Sequence, residues 1–158
     1  MREDLVNTFG NRLRLRVCGV LVQDESILMV NHNGLGPKGQ LWIPPGGEVN
    51  YGESLEKALI REFKEETNID IEVREQLFVF ELINKPFHAV EIFYRVNKIG
   101  GELIVGKDPE LEKNKQIIQQ VEFVTFKEIM IMDKEIIHGI FQKCNSPKDI
   151  LKLSGCYR

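Results

Sequence analysis

Residues 47–69 read GEVNYGESLEKALIREFKEETNI, and their spacing decides the fold. The spacing predicts a helix over residues 54–67. With Leu55 at zero and an advance of about 100° per residue, Ala58 falls near 300° and Leu59 near 40°, which defines a core-facing stripe. Glu62, near 340°, and Glu66, near 20°, continue that stripe, and Glu65 flanks it near 280°. Two carboxylates therefore stand where the pattern asks for leucine, with a third beside them.

That arrangement is costly. Glu62–Glu65 and Glu62–Glu66 are like-charge pairs at i,i+3 and i,i+4, each unfavourable by about 0.2–0.5 kcal/mol. All three glutamates lie toward the helix C-terminus, where the macrodipole repels anions. Partial burial adds a desolvation cost. Only Arg61, four residues before Glu65, offers local relief. A divalent cation is the simplest compensation, because clustered carboxylate oxygens suit hard ions such as Mg²⁺ or Mn²⁺. The other reading of the same residues is a solvated acidic face on an ordinary helix.

Outward from this helix, residues 13–22 (LRLRVCGVLV) alternate and then become continuously apolar, as a strand entering a core does. A turn at residues 23–26 leads to a second apolar run, 27–30, and the two together predict a hairpin. Residues 31–40 (NHNGLGPKGQ) form a glycine-rich loop. A short strand at 41–43 is closed by Pro44, Pro45, Gly46 and Gly47, where the prolines stop regular pairing and the glycines permit close approach of a ligand. Further strands are predicted at 72–83, 90–97 and 121–126, and helices at 127–132 and 134–143. Residues 97–120 form a long polar connection of the kind that is often functional. Strands and helices in this order predict an α/β (α+β) fold with a mixed sheet between helices. The whole span 1–158 reads as one domain, with 1–11 as a tail or short helix.

Lysine and arginine number 21 and aspartate and glutamate 24, a formal charge of −3. So mildly acidic a chain lacks the basic surface that general nucleic-acid binding needs. The three cysteines, Cys18, Cys144 and Cys156, are widely spaced without a CxxC, so neither a disulfide framework nor a zinc set is expected. The first ten residues are charged where a signal peptide would be apolar, and no apolar run reaches membrane-spanning length. A soluble cytoplasmic protein is expected.

The pattern of Gly47, five residues, Glu53, seven residues, then Arg61-Glu62-Phe63-Lys64-Glu65-Glu66-Thr67-Asn68-Ile69 resembles the Nudix box. Every charged position of that motif agrees, and the flanking residues 42–47 and 52–54 are also similar to Nudix sequences. One position departs: Asn68 stands where the family has glycine. That residue follows the helix and would take the left-handed conformation of a C-cap, which Asn tolerates best after Gly.

The resemblance implies an α/β/α sandwich with a central mixed sheet. It also implies hydrolysis of the diphosphate bond of a nucleoside diphosphate linked to another moiety, with Mg²⁺ or Mn²⁺ activating a water. Carried over, Glu62, Glu65 and Glu66 would hold the metal, and a carbonyl at Gly46 would add a ligand. Glu53 would bind metal or anchor the loop, Arg61 would hold the glutamates in position, and Gly47 would face substrate. The base would be a box glutamate, with Glu62 and Glu65 as catalytic residues, or a distant carboxylate, Glu110 or Glu112. His32 and Lys38, in the loop before the box, and His88, before a strand, are candidate substrate contacts; solvated surface positions are the alternative for all three. Trp42, Phe78, Phe80 and Phe87 read first as core. The expected partner is a small nucleotide, and a homodimer is common among relatives. Two rival readings share the fold: a nucleotide-binding sensor without turnover, and a metal-dependent isomerase of a diphosphate ester.

Overall fold

The computed structural model describes residues 3–107, 111 and 116–158. Chain order is α1 (Glu3–Phe9), β1 (Leu13–Val20), β2 (Val22–Gln23), β3 (Ser26–Asn33), β4 (Gln40–Ile43), β5 (Gly46–Glu48) and α2 (Leu55–Thr67). Then follow β6 (Asp70–Asn84), β7 (Phe87–Gly100), β8 (Ile118–Thr125), α3 (Phe126–Ile131), a 3₁₀ turn (Gly139–Lys143), α4 (Pro147–Ile150) and β9 (Cys156–Tyr157).

A five-stranded mixed sheet has the order β5-β1-β7-β6-β9, with β1–β7 and β6–β9 parallel and the other pairs antiparallel. In a four-stranded antiparallel sheet, β3 pairs with β2, β4 and β8. Both sheets are apolar on two faces. Val17, Leu21, Leu28 and Val30 pack with Ala58, Leu59 and Phe63 of α2. Their neighbours Cys18, Val20, Ile27 and Met29 pack with Phe126, Ile129, Ile140 and Ile150 of the C-terminal helices and turn. This period-2 alternation gives helices on both sides of the sheets, an α/β/α sandwich.

The helix α2 has local causes. The Ser54 side chain accepts the Lys57 N–H at 3.3 Å, which satisfies one of the orphan donors of the first turn. Asn68 sits at φ 59°, ψ 12°, and its N–H reaches the Lys64 carbonyl at 3.0 Å. Beyond it, the N–H groups of Ile104, Gly106 and Lys107 donate to the carbonyls of Thr67, Glu66 and Glu65 at 3.1, 2.8 and 3.1 Å. Residues 101–107 thus complete the C-terminal carbonyls of α2.

Several boundaries differ from the sequence reading. Residues 13–30 do not form one hairpin: the chain changes sheets at Leu21, so β1 pairs with β5 and β7 while the short β2 pairs with β3. The strand β3 runs on to Asn33, because β4 and β8 supply partners that far on both sides, so His32 lies in a strand rather than a loop. Gly46–Glu48 pairs with β1 despite the two prolines before it. Residues 134–138 are not helical. Trp42 donates to the Ile136 carbonyl at 2.7 Å and accepts from the His138 N–H at 2.9 Å, so this segment is drawn out along β4. The first eleven residues include α1, whose Leu5 and Phe9 pack with Ile117, Leu35 and Phe87. No helix among the described residues is long and apolar enough to cross a membrane.

Candidate active site

A cavity of about 290 Å³ opens between β1, β5, β7, α2 and the C-terminal segment. Glu62, Glu66 and His32 give its lining an acidic wall; Arg14, Arg16, Glu48, Glu91 and His138 line it too, with Arg16 and Glu66 meeting at Gly46; Phe9, Leu35, Phe87 and Ile117 are its apolar lining.

The acidic wall is built by α2 and β5. Glu66 accepts the Gly46 N–H at 2.9 Å on one oxygen, and the other lies 3.2 Å from Nε2 of His32. Glu62 accepts from Arg61 at 2.7 Å. The Arg61 guanidinium also grips Glu53 through two bonds of 2.9 Å, reaches Glu65 at 3.1 Å, and donates to the Glu48 carbonyl at 3.1 Å. This bidentate fork holds the Glu53 carboxyl below its ordinary value, chiefly through the Arg61 hydrogen bonds. Gly46 is required by the backbone around it, and Gly47 lies directly against the Glu62 carboxylate. At φ 155°, a Cβ on Gly46 would stand 2.0 Å from the Val17 carbonyl oxygen; one on Gly47 would stand 2.3 Å from the Glu62 carboxylate.

Glu62 is the strained group. Burial, and then the neighbouring Glu66 charge, push its carboxyl up to about 7 against the partial relief of Arg61. Two buried carboxylates share one wall with too little positive charge, and their oxygens are the hard donors that Mg²⁺ or Mn²⁺ prefers. The donor set therefore fits a divalent cation. Among the described residues no group of three or more His, Cys, Asp or Glu side chains is arranged to hold a metal ion. An ion here would be held by few protein oxygens and keep several waters, as Mg²⁺ usually does.

The structure brings some sequence-selected residues together and separates others. Glu62, Glu66, Gly46, Gly47 and His32 line the cavity. Arg61, Glu53 and Glu65, the last two expected to hold metal, are not among its lining residues and form one ion-paired array. The Gly46 carbonyl, expected to offer a metal ligand, accepts from Arg16 at 3.1 Å. Lys38 is exposed and pairs with Asp133 and, at 3.2 Å, with Glu135, rather than lining the cavity. His88 lies between the cavity-lining Phe87 and Ala89, so strand alternation turns it to the opposite face, 3.4 Å from Glu81. Glu110 and Glu112 lie outside the described residues. Trp42, Phe78 and Phe80 are core, whereas Phe87 lines the cavity.

Sequence reasoning missed Arg14, Arg16, Glu48, Glu91 and His138. A signal existed for the first two: arginines at 12, 14 and 16 share one face of a strand whose other face is leucine. Arg12 and Arg14 both bind Glu48, the latter at 2.6 Å. Burial alone would raise the Glu48 carboxyl, but these bonds hold it below its ordinary value.

Comparison with known proteins places this geometry in context. A family model described as the NUDIX domain matches residues 12–142. An ADP-ribose pyrophosphatase of Methanocaldococcus jannaschii is 35% identical over 94 residues, which is 58% of this chain and 55% of that protein. The chain thus spans little more than half the length of this curated relative. A MutT NUDIX hydrolase from Burkholderia pseudomallei superposes with a TM-score of 0.65 at 24% identity, over 81% of this chain and 92% of the other. A NUDIX hydrolase from Nitrosomonas europaea gives a TM-score of 0.66 at 18% identity, over 84% and 86% of the two chains. At these identities the structural likeness is one of fold.

Proposed function

The chain belongs to the NUDIX family, and we propose that it is a metal-dependent pyrophosphohydrolase acting on a nucleoside diphosphate linked to another moiety, with ADP-ribose as the first substrate class to test. The single observation that carries this reading is the pair of buried carboxylates, Glu62 and Glu66, lining one cavity together with Arg14, Arg16 and the apolar Phe9, Leu35 and Phe87. The acidic wall suits a cation, the arginines suit a diphosphate, and the apolar face suits a flat ring. The name of the Methanocaldococcus jannaschii relative points to the same substrate class.

In this reading Glu62 and Glu66 would hold Mg²⁺ or Mn²⁺. Such an ion would neutralise the diphosphate and lower the pKa of a water. The protein's share is order. Arg61 locks Glu53, Glu62 and Glu65 into one array, while the Gly46 N–H and His32 fix the two oxygens of Glu66. The carboxylates would thereby receive the ion with little reorganisation left to perform. Water adds at one phosphorus as the bridging P–O bond breaks, which gives a nucleoside monophosphate and a second phosphorylated product. Glu110 or Glu112 is the proposed distal base, on the stretch that follows Lys107, whose N–H is bonded to the Glu65 carbonyl.

Product analysis across a panel of nucleotides, with Mg²⁺, with Mn²⁺ and with chelator, tests the reading. ADP-ribose should yield AMP only when metal is present. Glu66→Gln should lower turnover about 100-fold or more while melting as a folded protein. Turnover on no member of the panel would move the chain to the sensor class, and near-native turnover by Glu66→Gln would remove the site assignment.

A further inference from the structure

We propose that Arg16 is a phosphate-binding residue of this cavity and that the buried pair Glu91–His138 positions it. The proposal rests on the cavity being a diphosphate site, and it adds residues outside the box helix.

Strands β1 and β7 run parallel with Arg16 directly opposite Glu91. Glu91 is 1% exposed and His138 3%. The Ile140 N–H donates to Nδ1 of His138 at 3.3 Å, so that nitrogen is an acceptor and the ring proton sits on Nε2. Nε2–H then donates to one oxygen of Glu91 at 2.8 Å. The rings of Phe80 and Phe93 stand against the imidazole, with centroids at 4.6 and 5.5 Å. Glu91 is therefore a fixed anion: burial would raise its carboxyl, yet His138 and the arginines Arg16 and Arg14 hold it below its ordinary value.

The second oxygen of Glu91 faces Nε of Arg16 at 3.6 Å, close enough for charge pairing and too far for a hydrogen bond. Nη2 of Arg16 donates to the Gly46 carbonyl. Its Nε is buried and has no hydrogen-bond partner among the described residues. Arg14, two residues earlier on the same strand face, differs at this atom: its Nε donates to Glu48 at 2.6 Å. If Arg16 only balanced the acids around it, the same close pairing with Glu91 would be the lower-energy arrangement. The protein instead holds the guanidinium by charge at Nε and by the Gly46 carbonyl at Nη2, and leaves the Nε donor without a hydrogen bond on a residue that lines the cavity. A buried unpaired donor is costly, and the planar fork of arginine matches phosphate oxygens.

Calorimetric binding of inorganic pyrophosphate in the presence of Mg²⁺ tests this without requiring turnover. Arg16→Ala should weaken binding about 10- to 100-fold, and Arg16→Lys, which keeps charge but loses the fork, should fall between. Glu91→Gln keeps an acceptor for His138 and removes the anion, so it should weaken pyrophosphate binding several-fold in the native background and add nothing to Arg16→Ala. Melting curves identify the folded variants; if Arg16→Ala does not fold, Arg16→Lys decides alone. Native affinity in the folded Arg16 variant overturns the phosphate contact, as does a wild-type protein that binds no pyrophosphate. A Glu91→Gln loss that adds fully to that of Arg16→Ala overturns the positioning role. A wild-type protein that binds pyrophosphate and hydrolyses no nucleotide overturns the enzymatic reading and leaves the subsite standing.

Discussion

Glu62 and Glu91 line the same cavity, and both are buried, at 7% and 1% exposure. Their carboxyls nevertheless move in opposite directions. Burial and Glu66 raise Glu62 to about 7, whereas Glu91, although burial works against it too, ends below its ordinary value through His138 and the two arginines. The difference lies in who supplies the compensation. Glu91 draws its compensation from the His138 hydrogen bond of the C-terminal segment and from the charges of Arg16 and Arg14 on β1, inside the chain. Glu62 has Arg61, but that guanidinium is shared among Glu53, Glu62 and Glu65, and Glu66 sits beside it. One carboxylate belongs to the fold; the other has charge left over for a cation.

Removing charge from each should therefore have opposite effects. Glu91→Gln leaves Arg16 without its anion and should lower the stability of the protein by about 3 kcal/mol, because breaking one side of a buried pair is costly. Glu62→Gln relieves a repulsion and should raise the stability of the metal-free protein by about 2 kcal/mol at pH 8. Denaturant titrations of both variants in chelator check the contrast. A Glu62→Gln protein that is no more stable than the wild type would show that Arg61 already balances the pair.

The pH dependence sharpens the same contrast. Glu91 has a depressed carboxyl, so its contribution to stability is present above the ordinary carboxylate range and is lost as pH falls through its lowered value. Glu62 has a raised carboxyl, so its stabilisation belongs to the protonated form: it is present below the ordinary 4.5 and lost as pH rises toward about 7. Metal-free wild-type protein should therefore lose melting temperature between these two values. Glu62→Gln should flatten that limb and leave the acid limb in place. Mg²⁺, which favours the ionised pair, should restore stability to the wild type near pH 8 and do less for Glu62→Gln. Melting curves in chelator and in Mg²⁺ across this range separate the two limbs.

The same two residues mark how far the sequence could be read. Glu62 and Glu66 were visible because a helix repeats locally: Leu55, Ala58 and Leu59 define a stripe within five residues, and the charged members stand out against it. The start at Ser54 was visible for the same reason, whereas the left-handed Asn68 follows from the glycine that the resemblance puts at that position. Glu91 and His138 carried no such signal. They meet Arg16 only through the parallel register of β1 and β7 and the extended path of residues 134–138 along β4, contacts that no local period encodes. The sheet change at Leu21 was hidden in the same way, since an apolar run reads alike in either sheet. For His88 the sequence leaves substrate contact and a solvated surface position open, and only its place in β7 between Phe87 and Ala89 selects the surface.

Asn68 gives the smallest effect and a direct check on the one departure from the box. Its side chain donates to the Glu102 carbonyl at 2.9 Å while its backbone holds φ at 59°. Asn68→Gly would shed the left-handed strain and lose that exposed bond, two terms of similar size, so stability should change by no more than about 0.5 kcal/mol. Asn68→Ala keeps the strain and loses the bond, and should cost about 1–2 kcal/mol. The glutamates are untouched in both, so turnover per folded molecule should stay near native. Equal melting of the Ala and Gly variants would mean that residues 101–107, through their three bonds to the carbonyls of Glu65, Glu66 and Thr67, end the helix without help from its cap.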